Sequence, residues 1–243
     1  MIKVGGTSYK YDFRDHARGG LHLRVREVDV VCRAAGALWL ENHAILIVAD
    51  LHLEKGSAFA SRGQMLPPYD TRETLGRLEA EVAELAPRLI VFLGDTFHDD
   101  GGEARLDAHD HARVEALALG RTLLWLAGNH DRTAPRFLPG DTAVAFSAAG
   151  LDLVHEPTAT PVGLEVAGHL HPCAKVRGKA ASVRRRCFVT DGERLILPAF
   201  GAYAGGLNVC DVAFQTLLLR RPLAAVLGSH RVHAIGWDSL ASD

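Results

Sequence analysis

The sequence predicts an α/β fold, a mixed β sandwich covered by helices. Three observations lead there. Three continuous apolar runs, AILIVA at 44–49, LIVFL at 89–93 and LLWL at 123–126, have the length and composition of strands buried on both faces. Amphipathic, helix-like segments separate them, as a parallel sheet with crossover helices requires. After residue 143 the pattern changes to short strands and turns, so the second half is β-rich. With 243 residues, 48% apolar and 23% charged, the chain is that of an ordinary globular protein with a sizeable core.

The elements follow in order. Residues 1–20 are polar, glycine-containing and weakly periodic, and read as a loose N-terminal extension to a single domain over 21–243. Leu21 to Val31 alternates in part and reads as one strand, followed by Ala37–Leu40 and Ala44–Ala49. Residues 70–86 read as a helix. Asp70 is the expected N-cap, with Glu73 completing a capping box, and Leu75, Leu78, Val82 and Leu85 form one stripe before Pro87. The strand at 89–93 precedes a helix over about 106–119 and the strand at 123–126. Strands are expected near Ala143–Phe146, Leu151–Val154 and Leu164–Ala167. Ser182–Thr190 and Arg194–Leu197 flank Asp191-Gly192, a hairpin signal. Asn208–Leu219 and Arg231–Ile235 are the expected last strands.

Composition excludes several classes. A formal net charge of −2 is not that of a protein that coats nucleic acid by bulk charge. The four cysteines form no C-x-x-C pair, which argues against a thiolate zinc site. The first twenty residues have no apolar secretory core and no run is long enough to span a bilayer, so a cytoplasmic protein with reduced thiols is expected. There is no G-x-S-x-G elbow and no Walker-type phosphate loop.

Chemistry collects where the apolar strands end. Asp50 and His52 follow the first, Gly94-Asp95 the second, and Gly128-Asn129-His130-Asp131 the third. His155 follows Leu151–Val154, and Gly168-His169-Leu170-His171 follows Leu164–Ala167. Ligands of open α/β sheets bind just beyond the carboxyl ends of strands. Residues two apart in an extended chain point the same way, which pairs Asp50 with His52 and His169 with His171. Asp50, Asp95, Asn129, His52, His155, His169 and His171 supply enough oxygen and imidazole for two metal ions sharing one carboxylate. Nitrogen and oxygen donors without sulfur suit manganese, iron, zinc or nickel. Two such ions about 3.5–4 Å apart can clamp the attacking and leaving oxygens of an in-line displacement at phosphorus. Gly94, Gly128 and Gly168 can take positive φ or let backbone pass close. His98 and Asp99 suit either a supporting role beside the donors or a plain loop. His109 and His111 do not share a helix face and read as solvated.

These clusters resemble the calcineurin-like metallophosphoesterase superfamily, whose pattern D-x-H, G-D, G-N-H-[DE], H, G-H-x-H is met by DLH at 50–52, GD at 94–95, GNHD at 128–131, His155 and GHLH at 168–171. The resemblance implies a four-layer αββα sandwich of two mixed β-sheets flanked by helices. It implies that Asp50, His52, Asp95 and His171 hold one metal, and that Asp95, Asn129, His155 and His169 hold the other. It also implies that His130 touches the scissile phosphate and that Asn129 and Asp95 take part in catalysis. Many members carry a second acid three residues after the G-D aspartate; here that residue is His98. VADLHLEKG, LGDTFHD and LPAFGAYAGGLNV are similar to the bacterial DNA-ligase-associated metallophosphoesterases. That similarity implies a manganese-dependent phosphodiesterase, an endonuclease on single-stranded DNA, linked in repair to a ligase, a helicase and an exonuclease. The alternatives are a small-molecule phosphoesterase acting on cyclic nucleotides, nucleotide diesters or phosphomonoesters, and a scaffold that keeps the fold without the chemistry. Scaffolds lose ligands, and here every ligand position is filled.

One local feature favours a polyanionic substrate. No acid lies between Val166 and Thr190, whereas Lys175, Arg177, Lys179, Arg184, Arg185 and Arg186 do. This run could line a groove leading to the metals, or could be a solvated hairpin. Lys55, Arg62 and Arg132 flank the donor motifs and could contact phosphate. Aromatic residues are only 7%, so extensive base stacking is not expected.

Overall fold

The computed structural model describes residues 11–133, 135–178 and 181–243. The first sheet takes up the N-terminal half. Its strands are β1 (Asp12–Asp15), β2 (Leu21–Val25), β3 (Val28–Cys32), β4 (Leu38–Leu40) and β5 (Ile45–Val48). Then come α1 (Lys55–Ala60), α2 (Asp70–Leu85), β6 (Leu89–Phe92), α3 (Gly102–Arg105), α4 (Ala108–Leu117), β7 (Thr122–Leu126) and β8 (Asp141–Ala143). The eight strands lie in sequence order, antiparallel from β1 to β5 and parallel from β5 to β8.

The second sheet follows with β9 (Ala145–Ala148), β10 (Leu151–Val154), β11 (Leu164–Ala167), β12 (Cys173–Arg177), β13 (Ser182–Thr190) and β14 (Arg194–Ile196). It is completed by α5 (Val212–Gln215), β15 (Leu223–Leu227), β16 (Val232–Gly236) and β17 (Leu240–Ala241). Its order is β16-β15-β13-β14-β11-β10-β9, with β12 beside β13 and β17 beside β12, and β11 is parallel to both β10 and β14.

The period-two alternation of the apolar runs sorts side chains between two layers of core. Ile47, Val91, Leu93, Leu124 and Leu126 face the second sheet and pack with Leu153, Val166 and Phe188. Leu46, Val48, Ile90, Phe92 and Trp125 face the other way, against Leu75, Leu78 and Val82 of α2 and Val114 and Leu117 of α4. The outer face of the second sheet carries a thinner cover, Phe214 of α5 with Val209 and Leu240. The architecture is the two mixed sheets with helical flanks that the sequence indicates.

Several expected elements differ. Leu21–Val31 is a hairpin rather than one strand, because Arg26 turns the chain at φ 52° and β2 pairs with β3. The strand expected at Ala143–Phe146 is divided between the sheets: β8 ends at Ala143 and β9 begins at Ala145. Asn208–Leu219 is not a strand; its apolar residues form α5, and the missed strand beside β13 is β15. Asp70 does not cap α2. Tyr69 holds that position without a side-chain bond, and Asp70 Oδ2 instead accepts from the Gly56 amide at 3.1 Å. Of residues 1–20, the first ten lie outside the described residues, and Asp12–Asp15 pair with β2. The Asp191-Gly192 hairpin forms as expected.

A buried ion pair lies in the second sheet. Arg194, 1% exposed, meets Glu165, 3% exposed, at 3.3 Å and donates to the Thr158 carbonyl at 2.9 Å. Removing one partner leaves an uncompensated buried charge. Glu165→Ala is therefore expected to destabilise the fold by about 3–5 kcal/mol in urea unfolding. A loss under about 1 kcal/mol would show that Arg194 is not held by this pair.

Candidate metal centre

Every donor motif sits at the carboxyl end of a central strand or of its neighbour in the facing sheet. Asp50 and His52 follow β5, Asp95 follows β6, Asn129 and His130 follow β7, His155 follows β10, and His169 and His171 follow β11. The loops are laced together. The His52 amide donates to the Asp95 carbonyl at 2.9 Å, Leu53 to Thr96 at 2.8 Å and His98 to Leu53 at 3.0 Å. The His130 amide donates to Asp95 Oδ1 at 2.9 Å, and the His169 amide to Asp50 Oδ2 at 3.0 Å.

The seven side chains converge around Asp95. His52 Nε2 lies 3.8 Å from Asp95 Oδ2 and 3.2 Å from His171 Nε2, and His171 Nε2 lies 3.5 Å from Asp50 Oδ1. On the other side, His155 Nε2 is 3.5 Å from Asp95 Oδ1 and 2.8 Å from Asn129 Oδ1, and His169 Nδ1 is also 2.8 Å from Asn129 Oδ1. Asp50, Asp95, His52 and His155 are buried; Asn129 and His130 are exposed.

Asp50 and His52 come together with His171, whereas His169 does not pair with His171 but lies against Asn129 on the other side of Asp95, and none of the four has the extended geometry expected. All four residues have left-handed backbone, at φ 54°, 46°, 68° and 46°, and Asp95 joins them at 48°. These are five of the ten non-glycine residues with positive φ among those described. Aspartate and histidine tolerate that region better than most residues, and such strain gathers at functional sites. The glycines serve in two ways. Gly94 takes φ 76°, whereas Gly128 leaves no room: a Cβ there would stand 2.2 Å from Asp95 Oδ1. At Gly168 a Cβ would meet Asp50 Oδ2 at 2.6 Å.

The electrostatics suit a cation. The His155 Nδ1 proton is held by the Leu93 carbonyl at 2.7 Å, so Nε2 presents a lone pair to the oxygens of Asn129 and Asp95. Burial, with the neighbouring His171, His130 and His98, pushes the His52 pKa down to about 2 and keeps that imidazole neutral. Its Nδ1 is buried without a hydrogen-bond partner. Burial also lowers His169. At His171 burial opposes the charge, but the Asp50 carboxylate outweighs it and raises the pKa. Neutral imidazoles, carboxylates and an amide oxygen facing one another across a few ångströms are a ligand set that fits divalent metal. Two overlapping groups, Asp50/His52/His171 and Asp50/Asp95/His155, bring their ligand atoms within 4.8 Å of one another.

His98 borders the centre. Its ring stacks on His130 with centroids 5.6 Å apart, and its carbonyl meets His130 Nδ1 at 3.1 Å. Asp99 pairs with Arg105 at 2.6 Å and with Arg62 at 3.8 Å, which turns Arg62 toward a carboxylate. Lys55 faces the same cleft as His52 and His130, with Nζ on the Tyr203 carbonyl at 3.0 Å. Arg132 lines a second cleft with Asn129 and His155. Arg184 and Arg185 are exposed, whereas Arg186 is spent inside, donating to the carbonyls of Ala199 at 2.8 Å and Gly201 at 3.2 Å. Lys179 lies outside the described residues. His109 is exposed on α4, away from the donor set.

The sequence reading gave two features no structural role at the site. Asp131, the last residue of Gly-Asn-His-Asp, is buried and accepts from the Phe97 amide at 3.1 Å, bracing the turn that carries Asp95. Burial raises its pKa to about 6. The other is the segment 199–206, which folds over the site: Phe200 and Gly201 donate to the carbonyls of Ala49 and Asp50 at 2.8 and 3.1 Å. Its glycines were the available signal.

A strand-end centre of two carboxylates, four histidines and an asparagine on an αββα sandwich defines a hydrolase of the metal-dependent phosphoesterase class. The family profile described as Calcineurin-like phosphoesterase matches residues 43–177, more than half of the chain, and the protein belongs to that family. The crystal structure of the Pseudomonas putida nuclease MPE is similar, with a TM-score of 0.66 and 25% identity over 93% of this chain and 100% of that one. Yfce, a phosphoesterase from E. coli, matches with a TM-score of 0.41 and 15% identity over 79% of this chain and 98% of that one. No curated protein matches the sequence. No helix among the described residues is long and apolar enough to cross a membrane.

A metal that binds only the folded state stabilises it, by about 2.7 kcal/mol at a hundredfold excess over Kd. Wild-type protein stripped of metal is expected to gain thermal stability on addition of manganese. Asp95→Asn, which keeps the oxygen that accepts from His130, should fold as stably without metal and gain nothing from manganese. An equal gain in Tm for both proteins would remove Asp95 from the ligand set.

Proposed function

We propose that the protein is a metal-dependent phosphodiesterase that cleaves single-stranded DNA. The observation that carries this reading is the sharing of Asp95 between two imidazole groups, His52 on one oxygen and His155 on the other. Asp50, His52, Asp95 and His171 would hold one divalent ion, and Asp95, Asn129, His155 and His169 the other, with manganese the proposed metal. Bound there, the ions supply positive charge to the phosphoryl oxygens and make water a better nucleophile.

The chain's own residues do the rest. Asp95 Oδ1 accepts from the His130 amide, so the carboxylate that organises the centre also fixes where His130 stands. With Nδ1–H on the His98 carbonyl and the ring stacked on His98, His130 keeps Nε2 free for the cleft. A protonated His130 there can give its proton to the departing alcohol oxygen. Lys55, tethered by Tyr203, adds a fixed positive charge at the edge of the same cleft. The leucine-rich core beneath keeps these groups in place, and His130 and Asn129 stand at the exposed mouth where a strand can enter.

Support for DNA as substrate comes from the likeness to a nuclease and from the three stretches similar to ligase-associated enzymes. On this reading the protein works in DNA repair beside a ligase, a helicase and an exonuclease. Circular single-stranded DNA is the decisive substrate, because it has no ends. Wild type with manganese is expected to linearise it, Asp95→Ala to be inactive, and His130→Ala to lose about 10²–10⁴-fold in kcat. Hydrolysis of cyclic nucleotides or simple phosphomonoesters with no cut in the circle would point to a small-molecule phosphoesterase. Chelation should abolish cleavage, and recovery with no divalent ion would overturn the metal assignment.

A further inference from the structure

The catalytic cleft has a volume of about 350 Å³ and is not closed at its far wall. That wall is the backbone of Ala204, Gly205 and Gly206, and the same three residues wall a second cleft of about 340 Å³ behind it. The dividing ridge is low because it has almost no side chains. Gly205 faces open space, with nothing within 4 Å of where a Cβ would be. Gly206 cannot be replaced, since its Cβ would stand 2.2 Å from the His171 carbonyl oxygen. The ridge therefore packs closely against the backbone of His171.

The second cleft is lined by Arg184, Arg185 and Arg186, and among the described residues no acidic side chain lines either cleft. The cleft lined by Asn129 and His155, by contrast, includes Glu156 as well as Arg132. Arg184 is anchored to the ridge, donating to the Gly206 carbonyl at 2.7 Å. Its one carboxylate, Asp243 at 3.4 Å, is an exposed pair of the kind that contributes little and yields to a competing anion. Arg185 donates to the main-chain carbonyl of Arg184 at 3.1 Å and is otherwise directed to solvent. Arg186 is not part of this group, for its guanidinium is occupied by Ala199 and Gly201.

We propose that Arg184 and Arg185 form a phosphate subsite for the nucleic-acid strand that leaves the catalytic cleft over the Gly205-Gly206 ridge. The inference rests on the reading of the protein as a nuclease and adds to it a path for the strand beyond the catalytic cleft. Guanidinium groups suit this task because they bind phosphate oxygens in pairs and read no base. With a net charge of −2 on the whole chain, such local groups must supply the backbone affinity.

The test compares two substrates and two variants. Circular single-stranded DNA requires the subsite; bis(p-nitrophenyl) phosphate, a diester too small to cross the ridge, does not. For Arg184→Ala/Arg185→Ala the ratio of kcat/KM on DNA to that on the small diester is expected to fall at least about tenfold, mostly through KM. The slope of log kcat/KM for DNA against log salt should become shallower by about 0.7 for each phosphate that the variant no longer neutralises. Arg185→Glu alone, which leaves the Arg184–Gly206 bond intact, should lower the same ratio. An unchanged ratio in both variants, or equal losses on both substrates, overturns the subsite while the nuclease reading stands. Wild-type hydrolysis of the small diester with no cleavage of DNA overturns both.

Discussion

Asp95 reaches His52 with one carboxylate oxygen and His155 with the other, and the rest of the strand-end architecture keeps that carboxylate where it is. The group is buried, and so are Asp50, His52 and His155. Lone pairs that face each other in a low-dielectric interior repel unless a proton or a cation lies between them. Apart from the attraction between Asp50 and His171, the centre therefore gains little from its own side chains. Backbone groups fix Asp50, Asp95 and His155. Asp95 is held by the His130 amide, by Asp131 bracing the next turn and by the Gly128 backbone packed against it. His155 is held by Leu93, the last apolar residue of the run before Asp95.

The backbone itself is held against its own preference. Left-handed conformations at non-glycine residues cost about 1–3 kcal/mol each where they are strained, and persist only when the surroundings over-determine them. Here the surroundings are the parallel strands β5 to β7 and the facing β10 and β11, whose apolar residues form one continuous core directly beneath the loops. Stability from the sandwich and strain in the centre are two sides of one arrangement. The segment 199–206 closes it. Its amides bond to the Ala49 and Asp50 carbonyls, and its own carbonyls are taken by Arg77 at 2.8 Å and by Arg186. Burial lowers the pKa of both cations, that of Arg77 to about 10, so they are far from the freely solvated arginines of a substrate groove.

This distinction explains what was and was not legible in the sequence. Buried strands write themselves as apolar runs, so β5, β6 and β7 were readable, and the polar residues that end them marked the candidate centre. A motif names residues but not backbone: the side-by-side placing of Asp50 and His52 was readable, whereas its left-handed origin was not. The run from Arg184 to Arg186 looks uniform as text. Its residues divide only when β13 is placed beside the glycine loop, and that placement depends on bonds that span more than ten positions of sequence. Strands β12 and β15 were missed for a similar reason. Each is short and finds its partner on a different half of the nine-residue β13, a pairing no local pattern encodes. The apolar residues before Leu219 were the reverse case, since a brief apolar stretch suits helix and strand equally.

The same division of labour accounts for the thirteen histidines in a chain of nearly balanced charge. Four belong to the candidate donor set; burial lowers the pKa of His52 and His169, whereas the Asp50 carboxylate raises that of His171. His130 differs in being exposed, with one ring nitrogen tied to a main-chain carbonyl and the other left to the cleft. A group meant to hold metal must not carry a proton on its donor atom, whereas a group meant to transfer a proton must be able to lose and regain it from solvent. On the proposed assignment, burial sets His52 and His155 inside and leaves His130 at the mouth, with His169 and His171 half-buried between them. The sorting follows from which loop each residue ends on, and therefore from the order of strands in the two sheets.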